Sequence, residues 1–174
     1  MGQLKFPTAT IDKLLDEQYQ TPIQDCVGNN YTQAAPLNTV ANTPYTFEVN
    51  GATRNAKFLP AHITNIWDTV NNRATFAEFI NVPEIVANVQ FTFEPTNAQA
   101  GTITLDVYVN EAVPVIMKSY TVSYKAETQR YTVVSTFYAS PSVGFDVKTK
   151  GVFFRVRTSG AGKLYDTAIE IYKT

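Results

Sequence analysis

From about residue 82 to the C-terminus, apolar side chains fall on every second position in one short segment after another. The segments 88–94 (NVQFTFE), 102–109 (TITLDVYV), 131–138 (YTVVSTFY) and 152–158 (VFFRVRT) all follow this rule. A period of two is that of a β-strand, whose successive side chains point to opposite faces of a sheet. The interruptions are turn formers: Pro95, Asn97, Gly101, Pro141, Gly151 and the run SGAG at 159–162. Earlier in the chain the pattern predicts a strand at 45–49, an Asn50-Gly51 hairpin turn, a polar edge strand at 52–59, and strands at 62–67 and 75–80. Further strands are predicted at 85–94, 102–110, 115–124, 130–138, 143–149, 151–158 and 164–172. Short strands at regular spacing indicate an all-β protein, here a two-sheet antiparallel jelly-roll sandwich, and not a βαβ enzyme.

Residues 1–43 read differently, as an extended N-terminal arm preceding a jelly-roll domain at 44–174. Residues 10–18 (TIDKLLDEQ) can form one short helix with Ile11, Leu14 and Leu15 on one stripe. Residues 20–43 are rich in Gln, Asn, Thr, Ala and Pro, without hydrophobic periodicity, and read as extended. The apolar points Leu4, Phe6, Leu14 and Leu15 are the candidates for docking this arm onto a partner.

Composition narrows the function classes. The 174 residues carry 17% charged side chains and a net charge of −1, without the basic excess of a nucleic-acid binder. No stretch reaches the ~18 apolar residues that cross a bilayer as a helix, and no secretory signal opens the sequence, so neither nucleic acid nor membrane is an expected partner. With a single cysteine, Cys26, no intrachain disulfide can form, which fits folding in a reducing cytoplasm. So low a charge on an all-β chain also suggests a surface covered by further copies or by a larger assembly.

Candidate chemistry is sparse. His62 is the one histidine, and with Cys26 far away it gives no zinc spacing and no scaffolded nucleophilic pair. No nucleophile elbow, phosphate loop or dinucleotide fingerprint is present. Glu78 with Glu84, and Glu94 with Asp106 across a hairpin, are the carboxylate pairs a glycosidase would use, but acids at strand ends are ordinary surface residues. The sequence therefore points to no catalytic residue, no cofactor and no metal site, and to a protein that is not an enzyme. Aromatic and arginine positions are more informative. Val152, Phe154 and Val156 share one strand face, and Phe153, Arg155 and Arg157 share the other. Tyrosines 108, 120, 124, 131 and 138 lie on strands whose opposite face is mostly apolar. Arg and Tyr on one sheet face suit a subunit interface, for which Tyr108, Tyr124, Phe153, Arg155 and Tyr172 are the candidates. The alternative is a receptor- or carbohydrate-binding head, as in a tail fibre or adhesin, with Tyr and Trp67 stacking on a host-surface glycan.

Several stretches also resemble one class of tailed-phage virion surface proteins, which carry a trimeric jelly-roll head similar to the tumour-necrosis-factor and C1q folds. They are ATFAEFINVP (74–83), FTFEP (91–95) running to GTITLDVYV (101–109), YASPSVGF (138–145), and GVFFRV (151–156) with LYDTAIEIY (164–172). The resemblance covers about the last hundred residues. It implies a homotrimer on the virion surface, attached to the major capsid protein or another virion protein by its N-terminal arm. A segment this short before the head favours a bacteriophage capsid decoration or head-fibre protein over a long-shafted fibre.

Overall fold

The computed structural model describes residues 24–28, 31–49, 53–57, 59–79, 84–110, 113–138 and 146–173. Twelve strands and one helical turn are present among them: β1 (Gln24–Gly28), β2 (Leu37–Thr39), β3 (Tyr45–Thr46), β4 (Thr53–Lys57), β5 (Trp67–Asp68), β6 (Arg73–Ala74), β7 (Glu84–Pro95), β8 (Gly101–Val109), β9 (Val115–Tyr124), β10 (Gln129–Tyr138), α1 (Val147–Lys150), β11 (Val152–Thr158) and β12 (Gly162–Lys173). They form two antiparallel sheets packed as a jelly-roll sandwich. The first runs β10-β7-β12-β1-β4, with β2 also on β12; the second runs β5-β6-β11-β8-β9, with β3 also on β11. Only β8 to β9 and β5 to β6 are hairpins within a sheet; β9 to β10, β10 to β11 and β11 to β12 each cross between sheets.

The alternation in the sequence is what closes this sandwich. Ile85, Ala87, Val89, Phe91 and Phe93 of β7 face inward, as do Leu164, Ile169 and Ile171 of β12. They meet Ile103, Leu105, Val107 and Val109 of β8 and Val152, Phe154 and Val156 of β11. Burying this apolar surface is the main stabilising term, at about 25 cal/mol per Å² removed from water. At one end, Tyr124 packs edge-on against Phe93 with ring centroids 5.0 Å apart. A Cβ at Gly101 or Gly160 would run into the Tyr124 ring, so both glycines are needed to seat it.

The structure corrects the early part of the reading. Two segments placed in the arm pair within the sheets: β1 (24–28) pairs over five residues with β12 on one side and β4 on the other, and β2 (37–39) pairs with β12. Thr39 is buried, donating to the Gly162 carbonyl at 3.2 Å and accepting from Thr158 Oγ1 at 3.3 Å, a polar tie between the sheets. Backbone pairing, on both sides for β1 and with β12 for β2, holds these segments without any alternating apolar pattern. The short helix and Leu4, Phe6, Leu14 and Leu15 lie outside the described residues.

β3 belongs to the second sheet and β4 to the first, so the two do not pair with each other as the strands of a hairpin, and β4 is an edge strand as expected; the Asn50-Gly51 turn itself lies outside the described residues. Residues 62–67 and 75–79 are turns and irregular chain, apart from the two-residue β5. They still bury Ile63, Ile66, Phe76 and Phe79. In place of the described part of a strand at 143–149 stands α1, a single turn capped by the Asp146 carboxylate accepting from the Thr149 N–H. It ends at Gly151 with φ +79°, where a side chain would meet the Ala74 carbonyl.

Candidate functional site

Strand β11 lies between β8 and the short pieces β3 and β6, and its alternation sends Phe153, Arg155 and Arg157 outward. Register sets Phe153 opposite Tyr108 and Arg155 opposite Asp106 on β8. The Phe153 and Tyr108 rings stack at 5.1 Å with 12° between their planes. The Arg155 guanidinium lies 4.8 Å from the Tyr108 centroid and 5.3 Å from that of Phe153. A cation over ring faces is attracted by their negative quadrupole, worth ~0.5–1 kcal/mol at an exposed site. Arg155 is thereby held over the rings, with no ion pair to Asp106 among the described residues.

Asp106 is the one buried carboxylate on this face, 4% exposed. Its Oδ1 accepts from the Ser119 hydroxyl of β9. Asp106 lines a shallow depression of about 180 Å³ with Asn42, Pro44, Tyr108, Ile116 and Arg157. The loop before β3 supplies Asn42 and Pro44, and it is fixed there by the Asn42 N–H donating to the Thr158 carbonyl at 2.7 Å. Asn42 sits at φ 60°, a left-handed conformation that Asn tolerates better than most residues.

The five interface candidates divide. Tyr108, Phe153 and Arg155 form the cluster just described. Tyr124 is 4% exposed and spent on the core. Tyr172 is half-buried on β12, in the other sheet, opposite Val86 and Gln24. Of the further tyrosines singled out, Tyr131 is buried against Phe91 at 5.9 Å, and Tyr120 packs against the core. Burial also holds the Tyr131 and Tyr165 hydroxyls above their ordinary pKa.

Trp67 cannot serve as a sugar platform: it is fully buried and stacked on Phe154 at 6.1 Å. Its neighbours in sequence gave no sign of this, because the flanking segment carries core residues without strand periodicity. Glu94 and Asp106 do not face each other across a hairpin, since β7 and β8 lie in different sheets. Glu78 accepts from the Thr64 N–H at 3.2 Å. His62 is half-buried in the turn closed by the Ile63 N–H donating to the Pro60 carbonyl. Among the described residues no group of three or more His, Cys, Asp or Glu could hold a metal ion, and no helix is long and apolar enough to cross a membrane. Asp106, Asn42 and Arg157 converging on one depression is a feature the sequence reading missed. The outward alternation of β8 and β11 was the available signal for two of them; the approach of the 42–44 loop had none.

No protein-family model matches the chain, and no curated protein matches it. Solved structures with a similar course include the Eiger TNF from S. frugiperda, at 10% identity and TM-score 0.48, covering 88% of this chain and 92% of that one. The globular domain of zebrafish complement 1qA protein follows at 12% identity and TM-score 0.44, covering 87% and 96%. The PRD1 vertex protein P5 is similar at 15% identity and TM-score 0.44, covering 85% and 71%. At such identities these likenesses say nothing of activity or partners.

Proposed function

We propose that the chain is a non-enzymatic virion structural protein, a homotrimeric phage capsid decoration or head-fibre protein displayed on the virion surface. Its N-terminal segment, with Leu4, Phe6, Leu14 and Leu15, grips the major capsid protein or another virion protein. The observation that carries self-association is the side of the sandwich where β9 and β10 end their sheets. Both strands are ten residues long, and Val113, Val115 and Val134 there are 77%, 38% and 52% exposed. Long edge strands with apolar side chains template pairing with another chain unless something covers them. Closed symmetry covers such an edge with a copy of the same molecule. The low charge and the phage-like stretches from residue 74 onward support the virion setting.

Light scattering on the full-length chain tests the assembly. A mass near three times 19.3 kDa is expected, and a clean monomer at micromolar concentration sinks the trimer. Attachment is tested by removing residues 1–23, which leaves every described strand in place. The shortened protein should no longer sediment with capsids, and undiminished attachment would refute the anchoring role.

A further inference from the structure

The two bare edges of the sandwich are not alike. The run VPVIMK at 113–118 gathers the exposed apolar side chains of β9 and its approach: Val113 is 77%, Val115 38% and Ile116 48% exposed. An apolar, β-branched run on a free strand edge is the kind of segment to which another strand adds. Three features of this same run oppose such addition. Pro114, immediately before β9, has no N–H to offer an incoming strand. Register with β8 then slips: Ile116 stands opposite Tyr108 and Lys118 opposite Val107, so Met117 is an extra residue, and it packs against the core. Such a bulge bends the strand and breaks the even spacing of N–H and C=O groups that a second strand must match.

Lys118 is the third feature. Its partner Val107 is fully buried, so Lys118 lies on the inner face of the second sheet, at the rim of the sandwich. Its Nζ sits 5.0 Å from the centre of the Tyr120 ring, two residues further along the same face, and the side chain remains exposed. A strand laid along β9 would bring its own inner-face side chain against that ammonium and take the charge out of water, which is costly. β10, the other bare edge, has none of these features. Its register with β7 is unbroken from Gln129 opposite Phe93 to Tyr138 opposite Glu84, and it contains neither proline nor lysine. Among its described side chains only Val134 is an exposed apolar one. The blocking features therefore stand at the stretch of edge where apolar exposure is greatest.

We infer that Lys118, with Pro114 and the Met117 bulge, closes the β9 edge to strand addition, so that a second copy covers Val113, Val115 and Ile116 by side-chain packing and not by extending the sheet. The identity of the covering partner rests on the assembly reading; the closed edge does not. An edge free to pair would join copies two by two or in open rows, and either would compete with a closed ring.

Light scattering over a concentration series, with thioflavin-T fluorescence, tests this on the full-length chain carrying Lys118→Val. The variant should reach about twice the wild-type mass or more, rising with concentration, and should bind the dye, as stacked strands do. Lys118→Thr, which removes the charge but keeps a polar side chain suited to an exposed strand, should do the same, and thermal melting confirms that each variant is folded. Lys118→Arg should keep the wild-type mass. So should Lys125→Val, which removes an equal charge at an exposed position just past β9. A monomeric wild type refutes the trimer without deciding this test, which compares each variant with wild type. The inference is overturned if both charge-removing variants at 118 keep the wild-type mass and bind no dye, or if Lys125→Val grows as they do.

Discussion

The two sides of this sandwich are finished in opposite ways. On one side the second sheet ends in fragments: β3, β5 and β6 are two residues each. The chain from 59 to 79 folds around that end and buries Ile63, Ile66, Trp67, Phe76 and Phe79. On the other side β9 and β10 run ten residues each and leave apolar side chains in solvent. Sheet edges expose unpaired N–H and C=O groups, and short strands or covering loops are the usual ways of blunting them. One side of this molecule is closed by its own chain. The other is left bare, and under the proposed assembly it is the surface on which association should depend.

If the closed side is held by its own core, damage there should cost stability first. Trp67→Ala removes a fully buried ring stacked on Phe154. It should destabilise by about 3–5 kcal/mol, the usual cost of truncating a buried large aromatic. Chemical denaturation reads this directly, and a loss under 1 kcal/mol would mean the 59–79 segment is a loose cover. Gly151→Ala comes next. Its φ of +79° and the Ala74 carbonyl against the missing Cβ should cost about 1–3 kcal/mol, by strain at the junction of α1 with β6 and β11.

The bare side predicts a different profile. Val115→Lys with Val134→Lys should leave protomer stability within about 0.5 kcal/mol, because both side chains already face solvent. The same pair should reduce the mass in solution to one protomer and abolish the concentration dependence of the melting temperature that an assembly shows. Unchanged mass would place the assembly surface elsewhere, with the outer face of the first sheet, where Tyr172 lies, as the next to probe.

The same contrast explains what could be read from the sequence. β7 to β12, α1 aside, are legible because each strand is long, half-buried and alternating, so burial writes itself as period two. The bare edge of β9 was legible only as a strand; that it ends a sheet is a fact of topology. The closed side was nearly illegible. Ile63, Ile66, Phe76 and Phe79 enter the core from turns, whose side chains follow no period, and β1 is held centrally by backbone hydrogen bonds that any sequence can make. The depression shares this limit: Asp106 and Arg157 are outward positions on alternating strands, but Asn42 reaches them only through a loop whose placement depends on the Thr158 carbonyl.

The smallest effect lies in the turn that joins β5 to β6 on the closed side. Asp68 Oδ1 accepts from the Val70 and Asn71 N–H groups at 2.9 and 3.1 Å, and Oδ2 from the Asn71 side chain at 2.6 Å. Partial burial on its own would raise the Asp68 pKa, but these hydrogen bonds and the nearby Arg73 outweigh it, and the carboxyl sits below its ordinary 3.8. A folded value below the unfolded one means the ionised carboxylate stabilises the native state. That contribution is complete above about pH 3.8 and fades as pH falls through the lower folded value. Asp68→Asn keeps an oxygen acceptor at the turn and loses only the charge, so it should cost a few tenths of a kcal/mol at neutral pH, in the range of exposed charge interactions. The gap between wild type and variant should close as the solution is acidified through that window. Two stability curves that stay parallel down to acid pH would show that the amide serves this turn as well as the carboxylate, and that the closed side owes its integrity to buried aromatics alone.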